Sequence, residues 1–389
     1  MNARDSIARR EFLALSIGAG AFAHRGSPAE SRRTGHRIFS KGRIGDLSVD
    51  NRLVRSATAE NAWHESEMTE EGISLYRGLA AGGVGLIITG YMGVTPEGRA
   101  SDSMTLICDD RFIDGLRRIA GVVHETSKQC KVIAQLGHVG MQTEVSEPVG
   151  PTTTAWPHLK AKPRALTTKE VEGIVASFAQ AARRAKEAGF DGVQLHGAHG
   201  YLLSSFLSPF TNTRSDRYGG SLEGRVTVVR EIVHQARALV GPDFPILIKM
   251  NCDDFVAGGI DIRSFPRLAN EIERAGIQAV EVSGNNPVRE KTSAEDQSYF
   301  LKYAQKLELS VPVILTGGNR SVERLEQIAE TGPPDLFGLA RPLLREPDLP
   351  ARWREGRGAS EAACISCNRC IRGFAKGMVT RCRVNEVNL

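Results

Sequence analysis

Residues 191–201 read Asp-Gly-Val-Gln-Leu-His-Gly-Ala-His-Gly-Tyr, a short strand candidate whose carboxyl end runs directly into polar side chains. Just before it, Thr167 and Glu170 have the spacing of a capping box, which predicts an amphipathic helix that continues to Ala188. A helix followed at once by a short buried strand is the repeating unit of α/β proteins. The stretch therefore predicts an α/β fold with its chemistry at a strand end.

Seven similar runs lie on either side of this strand and alternate with helical stretches. They are residues 52–58, 84–90, 131–136, 245–250, 278–283, 311–316 and 336–340, and the fourth strand is 192–195. Near-continuously apolar strands are buried on both faces, as in parallel sheets covered by helices. An open doubly wound sheet would need a Gly-x-Gly-x-x-Gly turn after its first strand, and none is present. We predict a single (β/α)8 TIM barrel over residues 35–350, with a cysteine-containing tail at 351–389.

The composition favours a soluble enzyme and excludes nucleic acid as a partner. Of the 389 residues, 41% are hydrophobic and 24% are charged, which is typical of a globular protein with a sizeable core. The formal charge of +5 is dilute, and no basic stripe is interleaved with aromatic residues. The apolar run 12–23 is shorter than the roughly 20 residues that span a bilayer, so no stable membrane span is predicted. The sequence leaves open whether the chain forms a homo-oligomer.

The first 34 residues have the features of an export signal. Arg9 and Arg10 precede the uncharged run 12–23, which ends in Ala21-Phe22-Ala23, with small residues at the two positions that signal peptidase reads. Paired arginines direct such a signal to the twin-arginine route. Residues 1–34 are therefore predicted to be a twin-arginine signal peptide and linker, and the protein to be periplasmic. The alternative is a frayed N-terminal helix with chance arginines on a cytoplasmic protein.

The ends of the last two predicted strands have the pattern of a phosphate site. Gly317 and Gly318 follow the seventh strand and lead into a helix that starts near Ser321, and Arg341 follows the eighth strand. Bare glycine amides and a helix N-terminus point donors at an anion, and an arginine adds a bidentate contact. The alternative is a tight turn beside a solvated arginine. The pattern predicts a phosphate site without identifying the phosphorylated molecule.

Two further polar residues end the third and fifth strands. The Gln135 amide can donate and accept at once, which matches the paired atoms of a pyrimidine edge such as that of a flavin. Lys249 can stabilise negative charge that develops on a reduced ring. Each residue, taken alone, is equally well interpreted as a structural hydrogen-bonding residue.

His196 and His199 lie three residues apart just after the fourth strand, and Tyr201 follows them. Two imidazoles can hold a carbonyl or phenolate oxygen, and a phenol can deliver a proton to carbon. A metal-binding pair is a weaker interpretation, because no carboxylate or third histidine is nearby in the sequence. Structural histidines are the remaining alternative.

The stretch 191–225, DGVQLHGAHGYLLSSFLSPFTNTRSDRYGGSLEGR, closely resembles the signature of the Old Yellow Enzyme family of FMN-dependent ene-reductases. Weaker similarity extends from residue 51 to the segment DLFGLARPLLREPDL at 335–349. The family fold is the eight-fold barrel. The resemblance implies an FMN cofactor contacted by the backbone of Ala57 and Thr58, by Gln135 at the pyrimidine edge, by Lys249 near N1 and O2, and by Gly317, Gly318 and Arg341 at the phosphate. Many relatives have a threonine or cysteine where this chain has Ala59.

The resemblance also implies an activity. His196 and His199 would hold the substrate oxygen, Tyr201 would protonate the α-carbon, and NAD(P)H would reduce the FMN. The expected function is an FMN-dependent NAD(P)H oxidoreductase that reduces the C=C bond of an enone or enal by flavin hydride transfer. The alternatives are a flavin electron-transfer protein that serves a redox partner, and a phosphosugar aldolase or isomerase that shares the phosphate rim.

Four of the seven cysteines lie in the predicted tail: Cys364, Cys367, Cys370 and Cys382. The segment is similar to the iron–sulfur region of the 2,4-dienoyl-CoA reductase and trimethylamine dehydrogenase branch, although two residues rather than three separate the second and third cysteines. The resemblance implies a [4Fe-4S] cluster, which four thiolates can hold. Structural zinc has the same chemical requirement, and disulfides or plain packing suit an exported protein. The sequence does not choose among these.

Overall fold

Eight parallel strands close into a barrel in the computed structural model, which describes residues 36–285 and 296–386. The barrel strands β1 to β8 are Leu53–Arg55, Leu86–Gly93, Lys131–Gly137, Gly192–Gly197, Ile246–Asn251, Val280–Ser283, Val313–Thr316 and Leu336–Leu339. Each strand pairs with the next in the sequence, and β8 pairs with β1. A strand forms within or across each of the eight predicted runs, so the predicted (β/α)8 TIM barrel is confirmed.

Helices connect the strands, and three further helices follow the last strand in the described part of the chain. In chain order, α1 to α11 are Glu70–Ala81, Ile113–Thr126, Thr168–Glu187, Leu202–Leu207, Leu222–Val240, Phe265–Arg274, Leu301–Ala304, Val322–Glu330, Arg341–Arg345, Leu349–Arg354 and Arg369–Ala375. The predicted capping box opens α3: the Thr167 side chain accepts from the Glu170 amide, and the Glu170 carboxylate accepts from the Thr167 amide. Short strand pairs outside the barrel join Gly42–Ile44 to Leu47–Val49, Trp63–His64 to Glu67–Met68 and Val149–Gly150 to Arg164–Ala165.

The alternation of side chains along each strand explains why apolar strands carry single polar residues. On β5, Leu247 packs inside the barrel, whereas Ile246 and Ile248 pack outward against the helices. One half of the barrel interior is filled by apolar side chains from the strands and the residues next to them: Val54, Leu86, Ile88, Ile133, Leu247, Ala279, Ile314 and Leu336. Two residues after Ile133, Leu247 and Ala279, the inward positions are polar and buried: Gln135, Lys249 and Glu281. Gln194 on β4 lies beside them, because it bonds both Gln135 and Glu281. The barrel is thus apolar at its base and polar toward the carboxyl ends of the strands.

The residues after β8 turn back over the carboxyl ends of the strands. The Ala362 amide donates to the Arg320 carbonyl, and the Thr380 amide donates to the Glu60 carbonyl, which fixes the tail at two places on the barrel. The predicted signal peptide and linker, residues 1–34, lie outside the described residues. Within the described ranges, no helix combines the length and the apolarity that a bilayer crossing requires.

Candidate active site

A cavity lies at the carboxyl ends of the barrel strands. Eight of the ten residues predicted to bind flavin or substrate line it: Ala57, Thr58, His199, Tyr201, Lys249, Gly317, Gly318 and Arg341. They belong to β1, β4, β5, β7 and β8 or to the segments directly after them. Closure of the barrel brings these distant segments to one end, which is the end where barrel enzymes assemble their active sites.

The other two predicted residues, Gln135 and His196, are buried and do not line the cavity. Gln135 Nε2 donates to Gln194 Oε1 at 2.7 Å, and no described residue donates to Gln135 Oε1. A buried amide oxygen without a donor is costly, so this atom has an open position for a ligand N–H. His196 packs against Tyr201, which does line the cavity, and the centroids of their two rings are 4.8 Å apart.

The two predicted histidines are held by different partners. His196 Nδ1 accepts from the Ala198 amide at 3.4 Å, which leaves Nε2 to carry the proton. His199 Nε2 lies 2.8 Å from Ser283 Oγ. Burial, helped by the charge of Lys249, lowers the pKa of His196 to about 3, and burial also lowers the pKa of His199. Both rings are therefore neutral at physiological pH, and each has one N–H to donate.

Acid is expected to destabilise the protein, because buried histidines are held neutral. Burial lowers the pKa of His138 to about 4 and that of His196 to about 3. In the unfolded chain histidine pKa values are near 6.5, so between about pH 6.5 and 4 the unfolded chain binds more protons than the folded one. Each such histidine therefore lowers the free energy of unfolding by about 1 kcal/mol for every unit by which the pH falls in this range. This stability is complete above about pH 6.5 and is lost as the pH falls.

Urea unfolding between about pH 7 and pH 5 measures this slope. His138→Asn removes one titrating group. The free energy of unfolding is therefore expected to fall less steeply with falling pH in this variant, by the contribution of one proton. A slope that is the same in wild type and in this variant would show that His138 is not held neutral in the folded state.

Tyr201 lies beside a second phenol, Tyr91, which was not among the sequence-based candidates. The Tyr201 hydroxyl donates to the Tyr91 hydroxyl at 3.2 Å, and the ring centroids are 5.2 Å apart. Both side chains line the cavity. Burial raises the pKa of Tyr201, so its phenol keeps its proton at neutral pH and can deliver it to a bound molecule.

Gly317 and Gly318 form the turn after β7, and both adopt positive φ angles, 110° and 77°. A Cβ at either position would lie 2.6 Å or 2.8 Å from the ring of Tyr299, so the turn requires glycine. The helix predicted to start near Ser321 is α8, for which Ser321 is the N-cap. The turn, the start of this helix and Arg341 form the predicted phosphate end of the cavity.

The cysteine-containing tail closes one side of the cavity, a position that the sequence pattern did not predict. Its lining residues are Cys364, Ser366, Cys370, Ile371, Phe374 and Thr380. Arg341 joins the tail to the phosphate end, because its Nη1 donates to Asn368 Oδ1 at 2.5 Å. The tail is therefore part of the wall around any ligand that occupies the cavity.

The four tail cysteines line a second, smaller pocket: Cys364, Cys367, Cys370 and Cys382. All four are free thiols, which gives no support to the disulfide alternative. Among the residues that the structure describes, no three histidine, cysteine or carboxylate side chains are placed to bind a single metal ion, which supports neither the zinc nor the iron–sulfur interpretation. The iron–sulfur interpretation stays a prediction.

Lys249 has two buried partners that were also missed. Its Nζ lies 2.8 Å from Ser56 Oγ and 3.1 Å from Glu281 Oε1. A single acidic residue inside the predicted strand 278–283 was the signal that could have identified Glu281. Ser56 offered no signal, because its contact depends on the closure of the barrel.

Residues 37–360 match the NADH:flavin oxidoreductase / NADH oxidase family. The chain is 37% identical over 365 residues to the NADH oxidase of Thermoanaerobacter brockii, an alignment that covers 90% of this chain and 56% of that relative. It is 31% identical over 345 residues to the NADPH dehydrogenase of Geobacillus sp. (strain WCH70), covering 85% of this chain and 98% of that relative. The chain thus spans about half the length of its longer relatives and nearly the whole length of the shorter ones.

Among solved structures, the fold is similar to that of 2-naphthoyl-CoA reductase in complex with 2-naphthoyl-CoA. The TM-score is 0.83 at 25% sequence identity, and the superposition covers 89% of this chain and 56% of that chain. The similarity therefore extends over almost all of the present chain, including the barrel that carries the cavity.

Proposed function

Because the chain belongs to the NADH:flavin oxidoreductase / NADH oxidase family, we propose that it is an FMN-dependent NAD(P)H oxidoreductase. Its proposed substrates are α,β-unsaturated carbonyl compounds, enones and enals, whose C=C bond it reduces. The observation that carries the proposal is the convergence of eight predicted ligand residues on one cavity at the carboxyl ends of the strands. The family match confirms the resemblance to the Old Yellow Enzymes and leaves the phosphosugar alternative without support.

The residues in and beside the cavity fit FMN. Gln135 has a buried amide oxygen that no described residue pairs, and a flavin pyrimidine N–H would complete it. The glycine turn at 317–318 precedes the N-terminus of α8, where a phosphate is stabilised, and Arg341 adds positive charge at the same end. When bound, FMN supplies the hydride that it has received from NAD(P)H.

The chain's own residues would bind and polarise the substrate. The neutral rings of His196 and His199 have N–H donors that would hold the carbonyl oxygen and stabilise the negative charge that grows on it. Tyr201, which keeps its proton at neutral pH, would protonate the α-carbon. Ile371 and Phe374 of the tail would exclude water from one side of the cavity.

The visible spectrum of the purified protein, before and after dithionite, tests the cofactor, and NAD(P)H-dependent reduction of a panel of enones tests the substrate class. A flavin absorbance that bleaches, followed by enone turnover, is expected. A reducible flavin without enone turnover would overturn the substrate class. A colourless protein that binds no added FMN would overturn the whole proposal.

A flavin electron-transfer protein that serves a redox partner is the second candidate. One observation favours it: Cys364 and Cys370 line both the main cavity and the four-cysteine pocket, so a redox group in the pocket would adjoin the flavin. A flavin that NAD(P)H reduces, and that reduces an artificial electron acceptor but no enone, is the outcome expected of this candidate.

The four tail cysteines are proposed to hold a [4Fe-4S] cluster, supported by the similarity of their segment to an iron–sulfur region and by their convergence on one pocket. Protein purified without oxygen is expected to contain about four iron and four sulfide per chain. Cys367→Ser with Cys382→Ser should lose both while FMN remains bound. Cys108→Ser, which changes a cysteine outside the tail, is the control and should keep the iron. Zinc in place of iron, or no metal, would contradict the proposal.

Export by the twin-arginine route is proposed from Arg9, Arg10 and the apolar run that follows. Lysine keeps the charge but not the planar guanidinium, so Arg9→Lys with Arg10→Lys is expected to leave nearly all of the protein in the cytoplasm. Arg32→Lys with Arg33→Lys changes a second arginine pair, in the predicted linker after Ala21-Phe22-Ala23, and should be exported like wild type. Cell fractionation distinguishes these outcomes, and wild-type protein found in the cytoplasm would refute export.

A further inference from the structure

A carboxylate lies inside the barrel, among the buried polar side chains near the carboxyl ends of the strands. Glu281 on β6 is completely buried. Its Oε1 accepts from Ser56 Oγ and Thr316 Oγ1, each at 2.6 Å, and lies 3.1 Å from Lys249 Nζ. Its Oε2 accepts from Gln194 Nε2 at 2.8 Å. Four polar groups from four other segments of the barrel therefore converge on this one side chain.

Strand register and a glycine make room for this network of hydrogen bonds. The register of β5 and β6 sets Lys249 directly opposite Glu281. Gly338 on β8 leaves the necessary space, because a Cβ there would lie 2.1 Å from Thr316 Oγ1 and 3.3 Å from Ser56 Cβ. A larger residue at 338 would displace two of the groups that bind the carboxylate.

Glu281 is ionised in this setting. Burial alone would raise the pKa of Glu281, but the charge of Lys249 and hydrogen bonds from Ser56, Thr316 and Gln194 outweigh it and lower the pKa. A buried ion pair is a weak source of stability, because desolvation cancels most of its attraction and apolar residues of similar volume serve as well. Stability alone does not explain an ion pair at the wall of a ligand cavity.

Three members of the network, Ser56, Lys249 and Thr316, line the cavity, whereas Glu281 lies behind them. We infer that Glu281 sets the reduction potential of the bound flavin through Lys249, a role that rests on the proposed FMN-dependent function. Lys249 alone would stabilise the negative charge that a flavin gains on reduction, since charges interact strongly where water is excluded. Glu281 offsets that charge and holds the ammonium group in place, so it is a positioning residue that keeps the potential low.

The test is the midpoint potential of the FMN-loaded protein, measured by spectroelectrochemical titration of wild type, Glu281→Gln and Glu326→Gln. Glutamine keeps the shape of Glu281 and removes its charge. At a given applied potential, the ratio of reduced to oxidised FMN is expected to be at least about tenfold higher in E281Q than in wild type. For a two-electron couple this is a positive shift of the midpoint potential by about 30 mV. Glu326 is the matched control: it is a buried carboxylate that accepts from the Ile38 amide at 2.9 Å and lies outside the cavity wall. E326Q should keep the wild-type potential.

Equal potentials in wild type and E281Q would overturn the inference and leave Glu281 a structural residue. If E281Q does not fold, the same charge is removed in the Lys249→Gln background, where the network loses both charges together. K249Q/E281Q is then expected to keep a potential close to that of wild type, because the two lost charges offset each other. A potential well below that of wild type would show that Lys249 acts with its full charge and would overturn the inference. A wild-type protein that binds no FMN overturns the proposed function as well, whereas an absent shift in flavin-loaded protein overturns this inference alone.

Discussion

Replacing Tyr201 with phenylalanine is expected to slow the reduction of an enone by roughly 10²–10⁴-fold, the usual contribution of a positioned general acid. Phenylalanine keeps the ring that packs 4.8 Å from the centroid of His196, so the change is confined to the hydroxyl. Stopped-flow mixing of the NAD(P)H-reduced protein with an enone measures the affected step. Reduction of the flavin by NAD(P)H needs no proton from Tyr201 and is expected to keep its rate.

Tyr91→Phe is the matched control, because the Tyr91 hydroxyl lies 3.2 Å from that of Tyr201 in the same cavity. This variant is expected to change the rate by about tenfold or less, since one neutral hydrogen bond contributes about 1 kcal/mol. If Y91F were the slower of the two, Tyr91 would be the proton donor and the role given to Tyr201 would be wrong. Equal rates in wild type and both variants would mean that solvent supplies the proton.

The barrel and the ends of its strands could be predicted because both depend on local sequence. Each strand is a short apolar run bounded by glycine or polar residues, and the helix at Thr168–Glu187 has its capping residues in the sequence before it. In a barrel the carboxyl ends of all strands share one face. Knowing the strand ends was therefore enough to place Lys249, Gly317 and Arg341 in one cavity.

The contacts between those residues could not be predicted, because they depend on strand register and on closure of the barrel. Tyr91 meets Tyr201 across 110 residues of chain, and Ser56 meets Glu281 across 225. The position of the tail depends in the same way on long-range contacts, such as that of the Thr380 amide with the Glu60 carbonyl. The periodicity of apolar residues indicates which face of a strand is buried. The long-range contacts depend instead on which strands become neighbours in the barrel.

Alanine in place of His196 or of His199 is expected to slow enone reduction by roughly 10²–10³-fold, the effect of removing one donor from a developing oxyanion. The loss should be in kcat more than in KM, because the hydrogen bonds strengthen as negative charge grows on the substrate oxygen. The double variant is expected to lose less than the product of the two, since both donors act on the same atom. Steady-state kinetics with one enone measures all three variants.

His138→Asn is the control for these variants. His138 is buried, burial lowers its pKa to about 4, and its Nδ1 accepts from the Gly140 amide at 3.0 Å, so it resembles the other two histidines in its surroundings. It does not line the cavity, and its replacement is expected to change stability without changing kcat. A loss of kcat in H138N equal to that in H196A would show that the alanine effects come from general loosening of the barrel end.

His199→Asn separates the hydrogen bond from the ring that provides it. His199 has a left-handed backbone, with φ of 63°, which asparagine tolerates better than alanine does. Its backbone amide donates to Asn251 Oδ1 at 2.9 Å, which would hold the new side chain in the same place. Because an amide also donates to a carbonyl oxygen, H199N is expected to stay within about tenfold of wild type while H199A falls well below it. If H199N is as slow as H199A, the imidazole and its 2.8 Å contact with Ser283 are needed for more than a single hydrogen bond, and the substrate oxygen is held mainly by His196.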